Sequence, residues 1–236
     1  FVTNLTTLCL VAGLLALWRW WQSRSQSALY ALAFLWGIGL WTKILFVWAI
    51  GASVGVMGWA WLATRRPPSL SLRPAMVALL LFLLGLAPLL LYNLQTGGTF
   101  LSIFDNLSTS YYGVQNAAFL DNLLIRLRQW LPLLRGDHFW YLGALLANPV
   151  AVWAAAGLLL LTLVVVGWQR GRGAERLLPL LLIGLMVVQS SFTLSDLFIT
   201  HYALLTPLIP LAVVGALSLL RQARVRLLTA VGVLLI

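Results

Sequence analysis

The sequence predicts an all-α fold, a polytopic bundle of transmembrane helices, and three observations carry that reading. First, 62% of the 236 residues are hydrophobic and 8% are charged. A soluble domain carries about 25% charged residues, so these charges are too few to coat a water-facing surface. Second, the apolar residues gather in long runs. Third, the basic residues sit in short clusters between those runs, as they do where charge sets the orientation of a membrane protein.

The runs are Thr3–Trp18, Ser27–Thr42, Leu45–Thr64, Ala75–Asn93, Val150–Trp168, Leu177–Phe192 and Ala203–Leu220, with an eighth starting at Leu227. In lipid every backbone N–H and C=O must be paired within its own segment, so each run is expected to be a helix. The alternation that a membrane barrel requires is missing. The eighth run stops after ten residues, at Ile236, whereas a crossing needs about 20. The chain also starts at Phe1 rather than Met. We therefore expect a piece of a longer protein, with about seven full spans and a truncated eighth forming one transmembrane domain over 1–236.

Ser27–Thr64 is apolar throughout except for Lys43. Its length suits one long tilted helix or two crossings joined near Trp41-Thr42-Lys43. Charge decides. With two crossings, the clusters at Arg19/Arg24, Arg65/Arg66/Arg73, Arg170/Arg172/Arg176 and Arg221/Arg224/Arg226 all fall on one side, eleven of the fifteen basic residues. That side is the cytoplasm by the positive-inside rule. Lys43, Arg126, Arg128 and Arg135 fall outside, together with Asp105, Asp121, Asp137 and Asp196. The expected location is the inner (plasma) membrane, and the net charge of +10 points to membrane lipids as partners rather than nucleic acid. Trp18, Trp20, Trp21, Trp41, Trp61 and Trp168 lie near run ends, as interfacial anchors do.

One connection is long, residues 94–149 on the outer face. It contains the turn signal Thr96-Gly97-Gly98-Thr99. It also contains an amphipathic stretch in which Phe119, Leu120, Leu123, Leu124, Leu127, Trp130 and Leu134 recur at helical spacing. Asp121, Asn122, Arg126, Arg128 and Gln129 take the opposite face. Two readings stand side by side, a helix lying on the outer membrane surface and a lid packed on the bundle. Pro132 is expected to end or kink it.

No phosphate loop, zinc spacing or nucleophile elbow occurs. The one cysteine, Cys9, lies in an apolar run, which excludes an internal disulfide or a cysteine metal cluster and suggests a buried small hydrophobe. Two sequons, Asn4-Leu5-Thr6 and Asn106-Leu107-Ser108, are short enough to occur by chance. The remaining candidates are polar residues at outer helix ends. Lys43 either snorkels to the headgroups or awaits a lipid-borne phosphate. Asn93, next to Tyr92, either terminates its helix or contacts substrate. Asp196, His201 and Tyr202 share a short outer loop, where Asp and His could exchange a proton. Asp105, Asp137 and His138 are equally open.

Three stretches together resemble the GT-C membrane glycosyltransferases, closest to the group of protein O-mannosyltransferases and aminoarabinose transferases. They are Gly37-Ile38-Gly39-Leu40-Trp41-Thr42-Lys43, then Gly85 through Asn93 with Thr96-Gly97-Gly98, then His201-Tyr202 through Pro210. The resemblance implies transfer of a sugar from a polyprenyl-phosphate donor to an acceptor on the outer face. It places the main catalytic acid in a loop upstream of Phe1. It also implies donor-phosphate or substrate roles for Lys43, Tyr92, Asn93, Arg126, His201 and Tyr202. Asn4 stands where the family often has a second acid, which leaves a divalent metal an open question for the full-length protein. His201 replaces an arginine, so it would contact phosphate only when protonated. The alternative is a multi-pass transporter or flippase of lipid-linked glycans, for which Gln189-Ser190-Ser191 is the main polar interruption. A third reading is a non-catalytic membrane scaffold.

Overall fold

The computed structural model describes residues 2–64, 70–106, 115–137, 147–168, 177–192 and 199–220. Within them the protein is all-α, with no β-strand. The elements are α1 Val2–Ser23, α2 Gln26–Thr42, α3 Val47–Thr64, α4 Leu72–Thr96, α5 Gly98–Asp105, α6 Phe119–Arg135, α7 Pro149–Trp168, α8 Leu178–Ser190 and α9 Leu208–Leu220. Two stretches, Ile44–Leu62 and Leu72–Thr96, are long and apolar enough to cross a membrane. The eighth run from Leu227, the cluster Arg170/Arg172/Arg176, His138 and Asp196 lie outside the described residues. The chain divides into two compact units, residues 1–117 with 192–196, and residues 118–191 with 197–236.

In the first unit α1 and α2 form a tight hairpin. Arg24 takes the left-handed conformation, with φ 56°, and Ser25 caps α2 by accepting the Ala28 N–H at 3.3 Å. A non-glycine residue in that region costs about 1–2 kcal/mol. The Arg24 guanidinium offsets part of this by lying over the Trp20 and Trp21 rings, 5.9 and 5.2 Å from their centroids. Ala16, Leu17, Trp20, Ala28, Leu29 and Leu32 form the core of the pair.

Lys43 breaks the long apolar stretch into two helices, as charge placement predicts. It caps α2 in extended backbone and is followed by a 3₁₀ turn over Ile44–Phe46. Phe46 fills the notch at Gly39 near the end of α2. Met57, in α3, packs on the cluster formed where the end of α1 meets the start of α2. α3 therefore turns back toward the end of the unit where α1 meets α2.

α2 and α4 meet backbone to backbone. A Cβ on Gly37 would collide with the Phe82 carbonyl oxygen, and one on Gly85 would sit 2.5 Å from the Phe34 carbonyl oxygen. Without a hydrophobic drive between helices in lipid, such close approach is how apolar helices associate. Ala78 of α4 packs on the cluster around Leu29, so α4 runs in the same direction as α2. The ends of α1, α2 and α4 that carry Asn4, Lys43, Tyr92 and Asn93 thus share one end of the unit.

At that end Gly97, with φ 65°, closes α4 and admits α5 at once. The turn signal at Thr96–Thr99 is therefore a joint between two helices. α5 itself is too short for its periodicity to be read from sequence.

In the second unit α6 covers the predicted amphipathic stretch. It runs through Pro132 to Arg135, where Gly136 at φ 83° closes it. Of the two expectations for Pro132, that it ends the helix or kinks it, the first is thereby corrected. A proline forfeits one hydrogen bond, and the following turn carries the helix on to its glycine cap. α8 and α9 supply the core through Ile183, Met186, Val187, Leu208 and Ala212. The run expected as one helix over Ala203–Leu220 is divided. Ile199–Leu205 is 3₁₀, and α9 begins only at Leu208, after Pro207, which has no N–H to donate.

Candidate functional site

α6 presents opposite faces of opposite character. Asn122, Arg126 and Leu133 are buried, while Leu120, Leu124, Leu127 and Leu131 on the other side are exposed. At 3.6 residues per turn positions 122, 126, 129 and 133 form one stripe, and 120, 124, 127 and 131 form the stripe opposite. The polar stripe faces inward. In water this arrangement would be inside out, since arginine is almost never fully buried unless paired.

The inward stripe docks on the end of α8. Arg126 is 2% exposed, and its Nε donates to the Ser190 carbonyl oxygen at 3.4 Å. Asn122 Nδ2 donates to the Ser191 carbonyl oxygen at 3.4 Å. The last carbonyls of a helix lack partners within it, and that end carries the negative end of the helix dipole. A cation there is favoured, which offsets part of the cost of burying it. Gln129 is the hub: its Oε1 accepts from Arg126 Nη1 at 3.5 Å and from the Tyr202 hydroxyl at 3.0 Å. Tyr202 is fully buried. His201, its neighbour, is half-buried in the 3₁₀ turn. Trp130, one turn beyond Arg126, holds a buried indole N–H with no hydrogen-bond partner among the described residues.

Arg126 and Tyr202, both candidates from sequence, are therefore brought together, and Gln129 joins them. Gln129 was visible only as one member of a polar face. Its partner Tyr202 lies 73 residues away, and no local pattern announces a contact of that range.

The first unit holds a second group. Thr6 of α1 and Thr42 of α2 are hydrogen-bonded at 3.0 Å, and Thr42 also donates to the Gly39 carbonyl oxygen at 2.8 Å. Lys43 follows directly. It is half-buried, and desolvation pushes its ammonium below the usual lysine range. No side-chain hydrogen bond or ion pair holds it among the described residues. Asn4 is exposed a half-turn before Thr6. Tyr92 is half-exposed and its ring lies against Gly98. Asn93 is buried and locally engaged: Nδ2 donates to the Leu89 carbonyl oxygen at 2.8 Å, and Oδ1 accepts the Phe100 N–H at 2.9 Å. It stitches the last turns of α4 to the start of α5, but it does not terminate α4, which continues to Thr96 and closes at Gly97.

The two glycines of the Gly37-to-Lys43 stretch have packing roles, Gly37 against α4 and Gly39 against Phe46. Packing alone thus accounts for them. Among the described residues no group of three or more His, Cys, Asp or Glu could hold a metal ion. No protein-family model, curated protein or solved structure matches the chain.

Proposed function

We propose that the chain is part of a multi-pass membrane glycosyltransferase of the GT-C type. It would move a sugar from a polyprenyl-phosphate donor to an acceptor on the non-cytoplasmic face. The observation that carries this reading is Arg126. A permanently charged, fork-shaped donor set is held by Gln129 and the end of α8, beside Tyr202, on a helix whose other face is apolar. A lipid phosphate calls for a cation close to apolar surface; Arg126 stands on the buried face of α6, so the phosphate would approach it from the α8 side rather than across the leucine stripe. Seven spans with the 94–149 connection outside would put Lys43 on the same side as Arg126, by the charge asymmetry between loops.

In the proposed reaction the acceptor hydroxyl attacks the anomeric carbon as the bond from that carbon to the phosphate oxygen breaks. The phosphate leaves with the electron pair. A cation at it would stabilise the developing charge; Arg126 is the candidate in the second unit, where His201 adds one when protonated, and Lys43 is a separate candidate in the first. The acceptor proton goes to a base, which the resemblance places upstream of Phe1.

The flippase reading has less support. It calls for polar breaks within spans, whereas Gln189–Ser191 closes α8 at its end and gives its carbonyls to α6.

The test is transfer of radiolabelled sugar from a polyprenyl phosphate by the full-length protein in liposomes. A hydrogen bond to a charged group contributes about 1.5–3 kcal/mol. Arg126→Lys and Lys43→Gln should therefore each lower transfer by about 10- to 150-fold. Undiminished transfer in both variants would refute the assignment. Lipid-linked glycan flux without any transfer would favour the flippase.

A further inference from the structure

The outward stripe of α6 calls for an occupant of its own. Leu120 is 71% exposed, and Leu124, Leu127 and Leu131 are each more than two-fifths exposed. Arg128 and Arg135 are exposed as well. At 100° per residue both fall on one flank of the leucine stripe, about 60° from its centre. The other flank holds Leu123, Trp130 and Leu134, all partly buried. Asp121, also exposed, shares the arginine flank at the first turn, where the helix dipole favours an anion. Over its remaining length that flank carries Arg128 and Arg135 alone among charged residues.

We infer that α6 is an anionic-lipid docking surface. Its leucine stripe enters the acyl region of the leaflet, and Arg128 and Arg135 hold the phosphates of acidic lipids. Three observations select this occupant. The face opposite the stripe is the polar one and is already docked on α8, so the apolar side cannot turn inward without exposing Arg126, Asn122 and Gln129 in exchange. Apolar exposure continues on α7 of the same unit, at Val150, Trp153, Leu159 and Leu160. The two arginines lie at the stripe's edge rather than on it, where long side chains run along apolar surface and lift their charge to the headgroups. Interfacial helices combine an apolar face with a cationic flank in this way, and their affinity rises with anionic lipid. The inference needs only that the chain sits in a bilayer. It stands or falls independently of the transferase reading.

The experiment uses the full-length protein in nanodiscs, with single cysteines at Leu120, Leu124, Leu127, Leu131 and Arg128. Cys9 is buried and stays unlabelled. Spin labels at the four leucine positions should meet oxygen dissolved in lipid more than a water-soluble nickel chelate, and the label at Arg128 should show the reverse. A bimane label at Leu127→Cys should be quenched more by brominated phosphatidylglycerol than by brominated phosphatidylcholine. Each of Arg128→Gln and Arg135→Gln should cut that preference by about fivefold. Nickel accessibility all along the stripe would overturn the inference. So would spin–spin broadening from a second copy covering the stripe, or equal quenching by the two lipids.

Discussion

Replacing Gly37 by alanine adds one methyl group at the point where α2 and α4 touch. The Cβ would collide with the Phe82 carbonyl oxygen and come within 3.0 Å of the Gly85 Cα. Both are backbone atoms, so no rotamer change relieves the contact and the helices must separate. Overpacking a core costs about 1–3 kcal/mol, and a backbone-on-backbone clash belongs at the upper end. Gly58, in α3, has nothing within 4 Å of its Cβ position. There alanine should stabilise the helix by about 0.5–1 kcal/mol, the usual advantage over glycine. The same chemical change thus carries opposite signs at two helical glycines of one unit, with a spread of about 3 kcal/mol between them. Unfolding of the purified protein in mixed micelles by sodium dodecyl sulfate, followed by circular dichroism, measures both. If Gly37→Ala matches or exceeds wild type, the close α2–α4 contact is wrong, and with it the placing of Lys43 and Asn93 at a common end.

Asn93→Ala should lose about 1–3 kcal/mol, because the Phe100 N–H is left without its acceptor; the same unfolding assay checks this. Tyr202→Phe should cost about 0.5–1.5 kcal/mol by removing one hydrogen bond to Gln129, and Gln129→Leu should cost more, since it strips Arg126 and Tyr202 together. Lys43 gives a pH signature. Burial lowers its folded value, so between that value and the ordinary one the unfolded chain binds more protons, and stability rises with pH across this alkaline window. Below the folded value the penalty is constant. Lys43→Gln should flatten the rise, read as unfolding midpoints against pH.

Helix positions were legible because long apolar runs without strand-like alternation leave few alternatives to pairing their own backbone. The break at Lys43 was legible from charge, because Lys43 is the one charged residue between Ser27 and Thr64. The 3₁₀ segment at Ile199–Leu205 was hidden, since its residues are as apolar as a helix and Pro207 alone marks the stop. The facing of α6 was hidden for a related reason. Periodicity separates two faces of a helix and is silent on which one meets the protein. Here the assignment usual in water is reversed: Arg126 is buried and Leu124 is exposed. Of the candidate site, the cations and Tyr202 could be picked out by residue type and place. Gln129 could not, because its importance lies in contacts between α6 and a distant turn. Asn93 reads as a terminator in the sequence, yet α4 passes it to close at Gly97, and its stitching of α4 to α5 follows from an amide that donates and accepts at once.

The account rests on the polar groups that would handle a lipid-borne phosphate lying at the non-cytoplasmic rim. Lys43→Cys and Gln115→Cys, probed in intact spheroplasts with a membrane-impermeant maleimide, test this directly. Labelling of both from outside, before permeabilisation, is the predicted result. Labelling of either only after the membrane is opened would contradict the account.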